Sequence, residues 1–419
     1  MESSPTFERP HRPTSVRLYN WCGRQFERCK LLPDSLTEES MVRAAQRRTK
    51  LSDFGDDRFR IGFRQLLQSC REEARLNPFG RWIMRNRLIM SLENRLKIQE
   101  DLKRHPEILD VQIRQPLFVV GLPRSGTSLL YNLLAKDPTS RPLLMWESFW
   151  PSPPPEAETR ERDPRIKRAR RLVRVLCRLA PQLPVAHTLV PDGPEECLPL
   201  LLNTFSCPGF LMMAHLPGYE QWIRALDFDE KIRVYREYKA QLQLLQWRCP
   251  GKRWLLKCPV HLATLDALFH AFPDAGVVQT HRDPAKVVPS VCSLFAMFRG
   301  MATDEIDPRT MGPQAADSML ELVKRAMKAR EKTPGRVFDL AYADLVDDPA
   351  GAVHRIYEHF GCDCDPRMDA GMKEWLNGNP RHKKGVHRYD LSQFGLDRSA
   401  IEQLFGPYCE RFRIVRETE

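Results

Sequence analysis

No run of about 18 apolar residues occurs in this 419-residue chain, so no membrane-spanning helix is predicted. The first residues, Met1-Glu2-Ser3-Ser4-Pro5, lack the apolar core of a secretory signal. The 12 cysteines form no Cys-x-x-Cys pair, and Cys362 and Cys364, the nearest two, have no partner at metal-ligand spacing. That distribution argues against a zinc site and a disulfide framework, and predicts reduced thiols in a cytoplasmic protein. Internal repeats are absent, and no nucleic-acid-binding motif accompanies the net charge of +11. The excess of cations is mostly dispersed, and part of it is assigned to an anionic small ligand rather than to nucleic acid. With 42% hydrophobic and 28% charged residues, the composition is that of an ordinary globular protein.

What is present is a segment with one main chemical use. Leu117-Phe118-Val119-Val120-Gly121-Leu122-Pro123-Arg124-Ser125-Gly126-Thr127-Ser128 reads as a buried strand, a turn and a helix start. Gly121 and Gly126 let the backbone curl so that successive N–H groups point inward. The helix beginning near Ser128 adds the positive end of its dipole, and Thr127 and Ser128 add hydroxyls. The Gly-x4-Gly spacing is that of a P-loop, yet the Lys that should follow the second glycine is missing. The cation in the loop is Arg124. Without the Lys, the usual grip on β- and γ-phosphates is lost, and the loop suits a terminal 5′-phosphate group.

These residues resemble the 5′-phosphosulfate loop of sulfotransferases that use PAPS (3′-phosphoadenosine-5′-phosphosulfate). A second block supports the resemblance: the apolar strand Val277-Val278-Gln279-Thr280 runs into His281-Arg282-Asp283-Pro284, with Ser290 eight residues beyond Arg282. An Arg fork and a Ser hydroxyl so placed suit a phosphate, and in the family they bind the 3′-phosphate. The resemblance is to the broad, mostly bacterial group related to tyrosylprotein sulfotransferases, over roughly residues 85–410. It implies PAPS as co-substrate, with no metal required. Its cofactor residues are then Gly121, Arg124, Ser125, Gly126, Thr127, Ser128, Arg282 and Ser290, with Tyr342 against the adenosine. Lys384 and Gly385, in the cationic loop His382–Tyr389, are expected to close over the 3′-phosphate.

Four residues are the catalytic candidates. Lys257 follows the apolar run Trp254-Leu255-Leu256 and should sit at a strand end, where the resemblance has a Lys assisting the departing phosphate. Arg124 should share that task. Glu147 occupies the segment that carries the general base in tyrosylprotein enzymes, although the segment here is two residues longer. Its neighbours Trp146 and Phe149 would raise its pKa. His187, close to Glu195 and Glu196, is the rival base, and the choice stays open. His261 is expected to help build the site.

Strands expected at Leu117–Val120, Trp254–Leu256, Val277–Thr280 and Val337–Ala341 alternate with helices. That pattern predicts an α/β fold, a P-loop-type parallel sheet flanked by helices, with ligands beyond the strand C-termini. Residues 1–110 form an N-terminal arm and helical extension, the first 35 of them loosely ordered. Residues 111–419 form the PAPS-binding domain, with a helical acceptor-site insertion near 150–250. Within it, Trp150-Pro151-Ser152-Pro153-Pro154-Pro155 is a stiff connector. Arg160 to Arg178 is a basic amphipathic helix that packs on the domain or meets an anionic lipid surface or an acidic acceptor. Leu198–Phe205 and Pro208–Met213 line an acceptor pocket or pair as core helices. The expected acceptor is a small molecule, lipid or carbohydrate with a hydroxyl, preferably hydrophobic. A P-loop kinase or NTPase and a non-catalytic nucleotide-binding scaffold are the alternatives.

Overall fold

A computed structural model describes residues 12–29, 36–380 and 390–417. Five strands form one parallel sheet among these residues: β1 (Leu117–Gly121), β2 (Ser140–Pro142), β3 (Arg253–Lys257), β4 (Gly276–His281) and β5 (Val337–Ala341). Their spatial order is β2-β3-β1-β4-β5. All five residues of β1 and of β3 are buried. Their unbroken apolar runs are what a strand covered on both faces requires. The chain order reverses on either side of β1, and the register pairs Val119 with Lys257 and Gly121 with Thr280. The ends of β1, β3 and β4 therefore meet at one crevice, the switch point of a doubly wound sheet. The sequence reading missed β2, which has three residues, ends in Pro142 and lies at the sheet edge.

Alternation along the strands sends side chains to two cores. Phe118, Val120 and Leu256 join a large cluster with the helices Phe59–Glu72, Pro78–Arg104, Phe228–Gln246, Pro284–Ala302 and Pro308–Arg330. Leu117, Val119, Leu255 and Val278 face the helices Thr127–Leu134 and Pro349–His359. Phe63, Leu66 and Leu67 of the N-terminal region share the first cluster with the sheet. Asn77 caps the Pro78–Arg104 helix by accepting from Gly80 N, with proline at the first helical position. The Pro284–Ala302 helix is long and apolar enough to cross a membrane, but 67% of its apolar window is buried inside the fold. None of the 12 cysteines is disulfide-bonded.

Two expectations are corrected. The first 35 residues are not all loose, because Thr14–Arg28 is a helix held by Asn20 Oδ1, which accepts from Phe79 N at 2.8 Å, and by Arg24–Asp304 at 2.9 Å. The basic helix begins at Pro164 rather than Arg160, with Asp163 as its cap and a separate 3-10 turn, Ala157–Arg162, before it. Proline at the first position and a carboxylate before it are strong start signals.

Candidate active site

The glycine loop is assembled as its sequence requires. Gly121 has φ +150° and Gly126 φ +92°, and a Cβ on Gly121 would lie 2.3 Å from Thr280 Oγ1. Ser125 is fully buried; its hydroxyl donates to Leu122 O at 2.6 Å and sits 2.6 Å from Thr280 Oγ1. The helix Thr127–Leu134 starts directly after Gly126, so the first N–H groups at Thr127 and Ser128 have no partner inside the helix. Thr127 is buried, while Ser128 is exposed at the crevice. Arg124 takes φ +72° without being glycine. An arginine there costs of order 1–3 kcal/mol, which the surrounding contacts must over-determine.

Those contacts tie the loop to the second motif. Arg124 Nε donates to Ser290 Oγ at 3.1 Å, and Arg124 O accepts from Arg282 Nη1 at 3.0 Å. The Arg282 guanidinium lies 4.0 Å over the Tyr342 ring. Tyr342 also approaches the loop, where a Cβ on Gly126 would meet its Cδ2 at 2.9 Å. Gly121, Arg124, Ser125, Gly126, Thr127, Ser128, Arg282, Ser290 and Tyr342 thus gather at one edge of the crevice. Lys384 and Gly385 lie outside the described residues. One partner was not expected: Glu417 accepts from Arg282 Nε and Nη2 at 2.7 and 2.8 Å. Its backbone N–H donates to Asp283 at 2.9 Å and its carbonyl accepts from Arg398 at 2.9 Å, which straps the C-terminal segment over the Arg282 motif.

Lys257 ends β3 with its side chain 3% exposed. Its Nζ donates to Glu196 at 2.6 Å and to Ser128 Oγ at 3.3 Å. Burial alone would lower the Lys257 pKa, but Glu196 and Glu195 outweigh it and hold the ammonium above its ordinary value. The charged form is therefore fixed beside the glycine loop. His187 Nε2 lies 3.7 Å from Glu195 Oε1. Burial would raise the Glu195 pKa, but His187 and Lys257 pull it below the usual glutamate range. In the sequence, Glu195 and Glu196 stand out only as neighbours of His187. The pairing of Glu196 with Lys257 is tertiary, and its one sequence trace is the doubled carboxylate after Pro194.

Glu147 stands elsewhere and is corrected. It is fully buried, its oxygens bonded by Arg141 at 2.9 Å and by Arg160 at 3.2 Å, and it accepts from Leu144 N at 3.1 Å. Burial would raise its pKa, but Arg141 and Arg160 overcome that and hold it below the ordinary value. The shift is the reverse of the elevated pKa expected of a base, and the carboxylate is committed to holding three chain segments together. His261 is fully buried, its Nδ1 2.7 Å from Tyr235 OH, and burial pushes its pKa down to about 3. It is a neutral part of the frame.

A cavity of about 430 Å³ opens at this cluster. Pro123 of the glycine loop, His187, Glu195 and Glu196 line it, as do the charged Glu220, Arg224, Lys231, Arg299, Glu321 and Arg325. Leu176, Leu183, Leu198, Leu201, Phe295 and Phe298 are among its many apolar walls. The volume is that of a small-molecule site, apolar with a few convergent polar groups. The segments Leu198–Leu202 and Pro208–Met212 both border it and bury residues in the core, so the two expected roles coincide. No group of three or more metal-ligating side chains occurs among the described residues.

The chain is similar to known proteins over most of its length. A model of the sulfotransferase family matches residues 116–366. The crystal structure of sulfotransferase STF9 from Mycobacterium avium aligns with 93% of this chain and 100% of its own, at 30% identity and a TM-score of 0.85. Sulfotransferase STF1 from Mycobacterium tuberculosis H37Rv aligns with 88% of this chain and 98% of its own, at 32% identity and a TM-score of 0.76. The omega-hydroxy-beta-dihydromenaquinone-9 sulfotransferase Stf3 of Mycobacterium bovis is 23% identical over 318 residues, 72% of this chain and 76% of that protein.

Proposed function

The chain belongs to the sulfotransferase family and is an enzyme of sulfuryl transfer, and from that premise we propose that it moves the sulfuryl group of PAPS to the hydroxyl of a hydrophobic, lipid-like alcohol. The observation that carries the reading is the junction of the apolar cavity with the glycine loop at Pro123. An apolar wall holds a long hydrocarbon by the hydrophobic effect, and the hydroxyl is assigned to the part of the lining formed by Pro123, His187 and Glu195. The name of the Stf3 relative, an omega-hydroxylated menaquinone sulfotransferase, supports an acceptor of this kind.

The residues divide the work as follows. The N–H groups of the loop and Arg124 hold the 5′-phosphosulfate, and Arg282 and Ser290 hold the 3′-phosphate. Tyr342, already stacked under Arg282, borders the adenosine. The acceptor oxygen attacks sulfur in line, an O–S bond forms, and the bond from sulfur to the bridging phosphate oxygen breaks. His187, beside Glu195, takes the acceptor proton. Lys257, charged and 3.3 Å from Ser128 Oγ, neutralises the charge growing on the leaving phosphate. The products are a sulfate ester and 3′,5′-bisphosphoadenosine.

The test is transfer from labelled PAPS to a series of ω-hydroxylated lipids of increasing chain length, read beside Lys257→Ala. Chain-length-dependent transfer that falls at least a hundredfold in the variant, with bisphosphoadenosine binding retained, is the expected result. Transfer to short polar alcohols alone would overturn the acceptor assignment.

A further inference from the structure

The helix Pro164–Leu179 carries seven Arg or Lys and no acidic residue. Its two sides differ. Ile166 and Ala169 are buried against Trp146 and Trp150, while Leu176 and Leu179 pack with Leu183 and Met301. Leu176 and Leu183 are also walls of the acceptor cavity. On the outer side Lys167, Arg170, Arg171, Arg174 and Arg178 are all exposed. At about 100° per residue these five fall within one stripe roughly 100° wide. Val175, also exposed, stands beside the stripe. Arg170 is drawn toward Asp192 at 3.1 Å. Lys167, Arg171, Arg174 and Arg178 have no acidic partner among the described residues.

An interior helix face needs no such charge, and a helix stabilising itself would place acids three or four residues from its cations. Five like charges in one stripe repel one another, and a dense anionic surface relieves that repulsion. The same helix is a wall between that surface and the cavity, so its diameter of about 10 Å separates the two. We infer that the cationic stripe of Pro164–Leu179 docks the enzyme on an anionic phospholipid surface and brings the acceptor cavity to the bilayer from which its substrate comes. The use of the docking rests on the lipid-acceptor reading, but the docking itself does not. Each cation near an anionic bilayer raises partitioning about fivefold, within a Debye length of about 10 Å at 0.1 M salt.

The experiment is co-sedimentation of the full chain with vesicles that contain no acceptor. Neutral phosphatidylcholine vesicles are compared with vesicles that include phosphatidylglycerol. The variant combines Lys167→Gln, Arg171→Gln, Arg174→Gln and Arg178→Gln; its fold is checked by circular dichroism and by binding of bisphosphoadenosine. The expected result is binding to anionic vesicles only, weakened by salt and more than a hundredfold weaker in the folded variant. Equal binding to neutral vesicles, or unchanged binding by the variant, overturns the inference. So does retention on a polyanionic resin without any vesicle binding, which would favour an acidic macromolecule. Because the vesicles carry no acceptor, a failed acceptor assignment leaves this result standing. In the converse case, transfer to a detergent-solubilised lipid alcohol survives the loss of docking.

Discussion

Arg282 grips Glu417 with both arms of its fork, Nε and Nη2 at 2.7 and 2.8 Å from the two carboxylate oxygens. A bidentate carboxylate on an arginine has nearly the geometry of a bound phosphate. If Arg282 holds the 3′-phosphate as proposed, Glu417 and that phosphate compete for the same donors.

The competition is measurable. Glu417→Gln should tighten bisphosphoadenosine binding about fivefold, since a partly exposed charge-assisted pair is worth around 1 kcal/mol. Arg282→Ala should weaken it more than tenfold. Calorimetric titration reads both, and unchanged affinity in Glu417→Gln would mean that the strap opens at no cost.

Glu147 should behave as a structural residue. Removing its charge leaves Arg141, with a side chain 2% exposed, without its counter-ion. Such a loss in the interior costs about 3–5 kcal/mol. Glu147→Gln should lower the melting temperature by several degrees while the folded fraction keeps its turnover. A collapse of kcat with unchanged melting would return Glu147 to the chemistry.

The same residue sets an acid limit. Its folded pKa is depressed below the ordinary 4.5, as is that of Glu195. Depressed carboxylates stabilise the fold fully above the unfolded pKa and lose that contribution as pH falls through the folded one. Thermal stability should therefore be flat in this respect above about pH 5 and fall steadily below about pH 4.5. Melting curves from pH 7 to pH 3 test the sign, and Glu147→Gln should flatten the acid slope.

His187 and Glu196 are separable by kinetics. A general base contributes typically 10²–10⁴-fold, so His187→Ala should lower kcat by at least about a hundredfold and leave bisphosphoadenosine affinity intact. Glu196→Gln should change affinity for the bisphosphate more than it changes the chemical step. If Glu196→Gln abolishes turnover and His187→Ala does not, the proton goes to Glu196.

The cavity predicts a chain-length effect. Met212 borders it and is only partly buried, so Met212→Trp can fill space without disrupting the core. Each methylene excluded from an apolar wall loses about 0.8 kcal/mol, about fourfold in affinity. KM for the longest acceptors should rise and that for short ones should not, as steady-state kinetics across a chain-length series would reveal.

The crevice was legible because its parts are local. Gly121, Gly126, Arg124 and the strand before them lie within ten residues, and the Arg282 block announces another strand end. Side chains that converge across the fold left no such trace. Arg141 and Arg160 reach Glu147 from opposite sides in sequence, so its apolar neighbours Trp146 and Phe149 pointed to a raised pKa when two guanidinium groups dictate the opposite. The helix Thr14–Arg28 hid because its buried positions are Val16, Asn20 and Gly23. Their spacing is helical but two of the three are not apolar. In β2 a three-residue edge strand ending in proline offers no period to read.

Two cations of the crevice are already matched, the buried Lys257 by Glu196 and the half-buried Arg282 by Glu417. These two carboxylates act as a toll on entry. A ligand that is anionic at one end displaces a single carboxylate and leaves the other cation satisfied as before. One that is anionic at both ends, at the right separation, gains two exchanges at once. On the proposed donor, discrimination against ordinary mononucleotides would then be written into the counter-ions.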